Sequence, residues 1–214
     1  SSTTLAEILE QYQVPLVGGN LSKGPLSLTV TIMGTVPAGS AIKRSGASVG
    51  DDIYVTGTLG DAAQGLALSR KGEADGYLVS RYQSPVARIA AGRQLRGLAN
   101  SLIDISDGLV AEIGHLAETD SLGAEIAAWE LPLSKELVKS AGEDIAISMA
   151  LFSGDDYELC FTADPADSGE IKAVSDSIDV PMTRIGVVTD GGEIVIRDSK
   201  GEPMDFGNAG YEHF

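Results

Sequence analysis

Residues 101–109 read SLIDISDGL, an apolar run interrupted by Asp104 and Asp107 and closed by Gly108. Few backbones tolerate that pattern. In an extended segment Ile103 and Ile105 share one face while Asp104 and Ser106 share the other. A helical stripe follows directly, with Leu109, Ile113 and Leu116 on one face of GLVAEIGHLAET. The acids therefore sit where a strand hands over to a helix, Asp107 at the helix N-terminal edge and Gly108 leaving room for close approach to the backbone. A plain helix cap by Ser106 or Asp107 accounts for one polar residue and leaves Asp104 unexplained. Two carboxylates on such an edge suit Mg²⁺, which takes oxygen ligands and bridges to phosphates, beside a helix N-terminus that favours phosphate.

The rest of the chain mixes the two periodicities. Leu5, Ile8 and Leu9 have helical spacing behind Ser and Thr cap candidates, and 25–36 (PLSLTVTIMGTV) alternates Leu28, Val30 and Ile32 with Ser27, Thr29 and Thr31 as a half-buried strand would. Turn formers in 37–52 predict a connection. Residues 53–68 read as strand, glycine turn and helix, with Asp61 as a cap candidate. Ser84 and Pro85 predict a helix start for 84–100, its stripe running through Val86, Ile89, Ala90, Leu95 and Leu98. Strand-like 123–132, helical 134–141 and 143–152, strand-like 157–161 and helical 167–178 follow. Two strands around Asp190-Gly191-Gly192 predict a hairpin. Strands and helices interleave throughout, so the fold class is α/β or α+β, a mixed sheet with flanking helices.

Composition narrows the function. The 214 residues suggest one or two domains, and 43% hydrophobic content is enough for a core. No apolar run approaches the ~20 residues of a membrane span, and SSTTLAEILEQ lacks the regions of a signal peptide. Cys160 is the single cysteine, which excludes an internal disulfide and predicts a reducing compartment, most simply the cytoplasm. Its setting, YELCF, predicts a buried structural thiol. A net charge of −16 repels nucleic acid and anionic lipid, so neither is an expected partner. An anionic substrate would need cations to bring it in.

A second acidic turn, SGDDYEL (153–159), carries Asp155 and Asp156 after a glycine; by itself it is as readily a solvated turn. VTGTLGDA (55–62) offers a phosphate cradle outside any Walker or dinucleotide pattern. Lys43 and Arg44 form a rare cationic pair, a surface feature or a phosphate contact. His115 reads as a helix-face residue and His213 as a tail residue. Two functions of different class remain: a Mg²⁺-dependent enzyme acting on a phosphorylated ligand, or an acidic, non-catalytic binding module. The first expects Asp104 and Asp107 to converge with Asn20 and Arg44 on one cleft; the second expects them scattered.

GGN (18–20), SKGPLSLTVTIMGTVP, RSGASVGDDIYVTGTLGDAAQGLAL, IDISDGL, SGDDYELCF and the terminal GYEHF together, and in this order, resemble the thiamine-monophosphate kinase family of the aminoimidazole ribonucleotide synthetase-like superfamily. The resemblance spans the whole chain, with IDISDGL its most specific element. It implies the C-terminal domain of that fold over 38–214, with 1–36 the end of an N-terminal ATP-binding and dimerisation domain most of which lies outside these residues. It further implies a cytoplasmic, homodimeric kinase that phosphorylates thiamine monophosphate to thiamine diphosphate with ATP and Mg²⁺. The alternative is a catalytically incomplete fragment, or a non-catalytic nucleotide- and metal-binding module of the same superfamily.

Carried over by position, the resemblance implies Mg²⁺ at Asn20, Asp104 and Asp107, and nucleotide at Gly19, Asn20, Arg44 and Ser106. It implies thiamine substrate at Asp155 and at an aromatic in the C-terminal segment, Phe206 or Tyr211. No side chain is expected to act as acid or base, because the acceptor is already a nucleophilic phosphate and catalysis is by metal and positioning. Asn20 stands where the family usually has Asp, and brings an amide oxygen without charge. Asp155 stands where it usually has Glu, one methylene shorter.

Overall fold

A computed structural model describes residues 4–74, 76–118 and 121–205. The chain divides into two compact units, Ser1–Thr35 and Val36–Phe214.

In the first unit, helix α1 (Leu5–Gln11) begins with a capping box: Thr4 Oγ1 accepts the Glu7 N–H while the Glu7 carboxylate accepts the Thr4 N–H at 2.6 Å. The alternating segment 25–36 forms no strand, contrary to its pattern. Leu28, Val30 and Ile32 are all exposed. A strand exists only where its N–H and C=O groups meet a neighbour, and no strand among the described residues pairs with this segment.

The second unit runs β1 (Asp52–Thr56), α2 (Asp61–Arg70), α3 (Tyr77–Gln83), α4 (Ile89–Gln94), β2 (Ala99–Asp104), α5 (Leu109–Glu118), β3 (Leu122–Ala127), α6 (Lys135–Ala141), α7 (Glu143–Phe152), β4 (Leu159–Ala163), α8 (Ser168–Ile178), β5 (Met182–Asp190) and β6 (Ile194–Arg197). The strands form one six-stranded mixed sheet in the order β2-β4-β1-β5-β3-β6. Every pairing is antiparallel except β3 with β6.

Strand periodicity divides the core. Ile53 and Val55 of β1 join Ile103, Ile105, Leu109, Ile113, Leu116 and Cys160 in the larger cluster beneath α5. Tyr54, on the opposite face, stacks on its cross-strand partner Phe161 with centroids 5.2 Å apart, above Leu95 and Ile171. Burying a side chain such as Leu109 or Ile113 is worth about 1.5–3 kcal/mol, so α5 is clamped to the sheet that supplies its preceding loop.

Two expectations are corrected here. The helix expected over 84–100 is only Ile89–Gln94, capped by Arg88; Ser84 instead closes α3. A residue before proline is steered away from helical backbone, so Ser84-Pro85 ends one element without beginning the next, and 99–100 already belong to β2. The hairpin expected around Gly191-Gly192 does not form either. β3 lies between β5 and β6, antiparallel to the first and parallel to the second. The local turn chemistry is intact, and a better-matched apolar strand from sixty-odd residues earlier occupies the gap.

Candidate functional site

The two acidic motifs are laced together by their backbones. Ile105 N–H donates to Glu158 O at 2.8 Å, Tyr157 N–H to Ile105 O at 2.9 Å, and Asp155 N–H to Ser106 O at 2.9 Å. Residues 105–106 thus extend the β2–β4 ladder past Asp104, and Asp155 is delivered beside Ser106. The approach is close enough to require glycine: a Cβ on Gly154 would overlap the Ser106 carbonyl. Gly108, at φ +120°, turns the chain into α5 against the backbone of Phe152. Asp155 and Tyr157 both hold positive φ, 69° and 51°, an uncommon conformation for side-chain-bearing residues that clusters at functional sites.

Ser106, Asp107 and Asp155 line a single cleft of about 500 Å³, facing Ala63, Leu66 and Arg70 of α2. Arg70 places a cation across from the acids. Asp104, at the end of β2, is exposed and does not line this cleft. It remains within electrostatic reach: the Tyr157 hydroxyl, 3.4 Å from Asp155 Oδ1, is raised above the usual phenol range by burial and then by the charges of Asp155, Asp104 and Asp107.

Of the other expected residues, Arg44 is exposed and not part of the cleft lining, its neighbour Lys43 being held beside β2 by a Leu102 N–H to Lys43 O bond of 2.9 Å. Gly19 and Asn20 belong to the first unit and are exposed. Phe206 and Tyr211 lie outside the described residues. The cleft thus gathers Ser106, Asp107 and Asp155.

Several groups that shape the site carried no functional expectation. Glu112, buried in the first turn of α5, accepts hydrogen bonds from Ser106 and Asp107; an acid just inside a helix start is the signal that marks it. Glu158, fully buried, is gripped by Arg88 through two bonds of 2.6 Å, by Arg81 at 2.8 Å and by Thr56 Oγ1 at 2.7 Å. Asp61 does not cap α2. It is the helix's first residue, buried, and accepts from Thr58, Tyr77 and Ser134. The cap is Asp156, which accepts the Gly60 N–H at 2.6 Å and the Ala62 N–H at 3.2 Å. Burial pushes the Asp156 carboxyl up to about 7, against the pull of those two donors. The phosphate-cradle expectation for 55–62 falls with this, because a protein carboxylate already takes the amides that a phosphate would need. Cys160 is buried and its thiol is pushed up to about 12, so it has no thiolate character near neutrality.

The donor set at the cleft consists of oxygens, which suits a hard divalent cation such as Mg²⁺. Among the described residues, however, no three His, Cys, Asp or Glu side chains come together tightly enough to hold an ion by themselves. Such carboxylates fit a cation that keeps water and phosphate oxygens in its shell, as Mg²⁺ habitually does. No helix among the described residues is long and apolar enough to cross a membrane.

Residues 48–199 match a family model described as AIR synthase related protein, C-terminal domain. The chain is 43% identical over its whole length to thiamine-monophosphate kinase of Escherichia coli strain K12, of which it spans 67%. Among solved structures it resembles thiamine-monophosphate kinase from Stenotrophomonas maltophilia K279a, with a TM-score of 0.73 at 39% identity over 79% of this chain and 56% of that one. It also resembles AaThiL complexed with AMPPCP and TMP, with a TM-score of 0.63 at 35% identity over 77% of this chain and 52% of that one. The chain therefore spans about two thirds of its curated relative and about half of each solved relative.

Proposed function

This chain belongs to the thiamine-monophosphate kinase family, and we propose that it carries the C-terminal share of an ATP- and Mg²⁺-dependent phosphorylation of thiamine monophosphate to thiamine diphosphate. The observation that supports this most is the meeting of Ser106, Asp107 and Asp155 in one cleft, since in this reading the first two serve nucleotide and metal and the third serves the thiamine substrate. The complex of AaThiL with AMPPCP and TMP gives both ligand types a precedent in a relative.

In this reading a terminal oxygen of the thiamine-bound phosphate attacks the γ-phosphorus of ATP. The new bond is phosphorus–oxygen, the γ-phosphorus bond to the β,γ-bridging oxygen breaks, and ADP leaves with that electron pair. The attacking oxygen is already ionised near neutrality, so no side chain has to remove a proton; the described lining of the cleft contains no histidine. Bound Mg²⁺ supplies neutralisation of the charge on the transferring group. Asp104 and Asp107 would hold it, Ser106 would face the nucleotide, and Arg70 faces the same cleft as a positive charge. Asp155, which lines the same cleft, would meet the cationic thiamine. In this proposal Gly19, Asn20 and Arg44 would contact nucleotide, residues 1–36 are the end of the N-terminal domain, and the working assembly is a homodimer.

A second reading has one observation in its favour: the described acids do not form a complete metal site, as in a catalytically incomplete piece. Incubation with ATP, Mg²⁺ and thiamine monophosphate, followed by chromatography for thiamine diphosphate, separates the two. Product above a heat-killed control is the expected result; its absence, with Mg²⁺-dependent nucleotide binding retained, favours the second reading.

A further inference from the structure

We propose that Glu112 is the positioning residue of the cleft, holding Ser106 and Asp107 so that the Ser106 hydroxyl offers a divalent cation its lone pairs and not its proton. The identity of the cation's partner rests on the kinase reading; the arrangement of the donors does not.

Glu112 is only 2% exposed. Its Oε1 accepts the Ser106 N–H at 3.4 Å, the Ser106 Oγ–H at 3.1 Å and the Asp107 N–H at 3.2 Å. An ionised carboxylate has acceptor capacity alone, and a serine hydroxyl has one proton to give. With that proton directed to Glu112, Ser106 Oγ meets the cleft as an acceptor. An acceptor oxygen is a good neighbour for a hard cation and a poor one for a phosphate oxygen, itself an acceptor. The two backbone N–H groups at the strand-to-helix edge are likewise turned to Glu112 and withdrawn from any phosphate. The edge therefore presents the Asp107 carboxylate and Ser106 Oγ to the cleft as oxygen donors, and a nucleotide phosphate would meet Ser106 through the cation.

The acid of a capping box reaches back only to the N-cap amide, as Glu7 does to Thr4. Glu112 reaches further, past Gly108 to Asp107 and Ser106, two residues that line the cleft. Such outer partners of metal ligands change metal affinity by about 10–100-fold when removed.

The test uses this chain and Mn²⁺ alone as the probe, read by electron paramagnetic resonance, with a thermal melt of each variant. Glu112→Ala is expected to weaken Mn²⁺ binding by about tenfold, and Glu112→Gln, which keeps an acceptor oxygen of the same reach, to recover most of it. Ser106→Ala, which leaves Glu112 in place and asks nothing of the fold, is expected to weaken Mn²⁺ by a similar factor. Wild-type Mn²⁺ affinity in Glu112→Ala despite a lowered Tm would reduce Glu112 to a helix cap and overturn the inference. So would unchanged affinity in Ser106→Ala, or a wild-type chain that binds no Mn²⁺. The kinase reading stands or falls separately: Glu112-dependent Mn²⁺ binding without thiamine diphosphate formation sinks that reading alone, and product formation at an unaltered Mg²⁺ midpoint in Glu112→Ala sinks the inference alone.

Discussion

The carboxylate of Asp156 accepts the backbone N–H of Gly60 at 2.6 Å, so the helix that walls one side of the cleft is capped from the acidic turn on the other. Neighbouring Asp155 lines the cleft itself. Two adjacent acids thus divide their work: one lines the cleft, and the other fixes the loop to α2.

That cap predicts a pH dependence. The Asp156 carboxyl is raised from 3.8 to about 7 in the folded chain, with burial the leading cause. A raised folded-state pKa means that the stability it contributes is present in full below the unfolded value and is lost as pH rises through about 7. Between these limits the folded state binds more protons than the unfolded one, with a ceiling of about 1.4 kcal/mol per pH unit. Urea unfolding at pH 5 and pH 8 is expected to show a steeper fall in wild type than in Asp156→Asn. Equal slopes in the two proteins would mean that Asp156 does not titrate as its burial demands.

Asp107→Asn tests the metal side. The substitution keeps the size of the side chain and removes its charge, so Mg²⁺-dependent nucleotide binding is expected to be lost while Tm stays within a degree or two, the range of ordinary surface substitutions. Intact nucleotide binding with a large drop in Tm would return Asp107 to a capping role.

Gly154→Ala tests the backbone approach. The added methyl has no space against the Ser106 carbonyl, so the two motifs must part or the turn must refold. Overpacking of this kind destabilises by about 1–3 kcal/mol, and here it is expected to weaken nucleotide and thiamine monophosphate binding together. Calorimetric titration of each ligand checks this, and loss of one ligand alone would show that the motifs are not mechanically joined.

Glu158→Ala removes the carboxylate that Arg81 and Arg88 share. Arg81 is buried, and its Nε makes no hydrogen bond among the described residues, lying 3.9 Å from Asp61 Oδ2. Arg81 would keep only its longer contact to Asp61, and removing one partner of a buried pair costs about 3–5 kcal/mol, measurable as a shift in the urea midpoint. A loss below about 1 kcal/mol, the scale of an exposed pair, would contradict the buried network.

What the sequence disclosed and what it hid divide along physical lines. SLIDISDGL announced its own geometry because strand alternation and a helical stripe meet within it, and the helix expected after it is α5, Leu109–Glu118. Short-range signals also located α6, where Ser134 caps as its position suggests. One failure is local, the Ser84-Pro85 pair that ends α3 without starting the next helix; the others are of longer range. The glycine pair at 191–192 looks like a hairpin because nothing local reveals that β3 inserts between its strands. Segment 25–36 alternates as strands do, yet alternation cannot report whether a partner is present. Asp156, and not the adjacent Asp61, caps α2: the capping carboxylate arrives from the turn before β4, nearly a hundred residues later in the chain. Arg81 and Arg88 gave no signal at all: a buried ion pair is a property of three dimensions.

The central strand has a consequence for how this chain comes off the ribosome. β1 precedes the other described strands in the chain, and its two neighbours are β4 and β5, with Asp52 facing Ala163 on one side and Val187 on the other. No nascent chain that stops short of Met182–Asp190 can close the sheet on both flanks of Ile53, Tyr54 and Val55. These residues must wait until β5 has been made with one edge open, the condition in which chaperones bind and unpaired strands aggregate. A truncation that trims the chain back into β5 would therefore remove the wall of the middle of the protein and not merely its end.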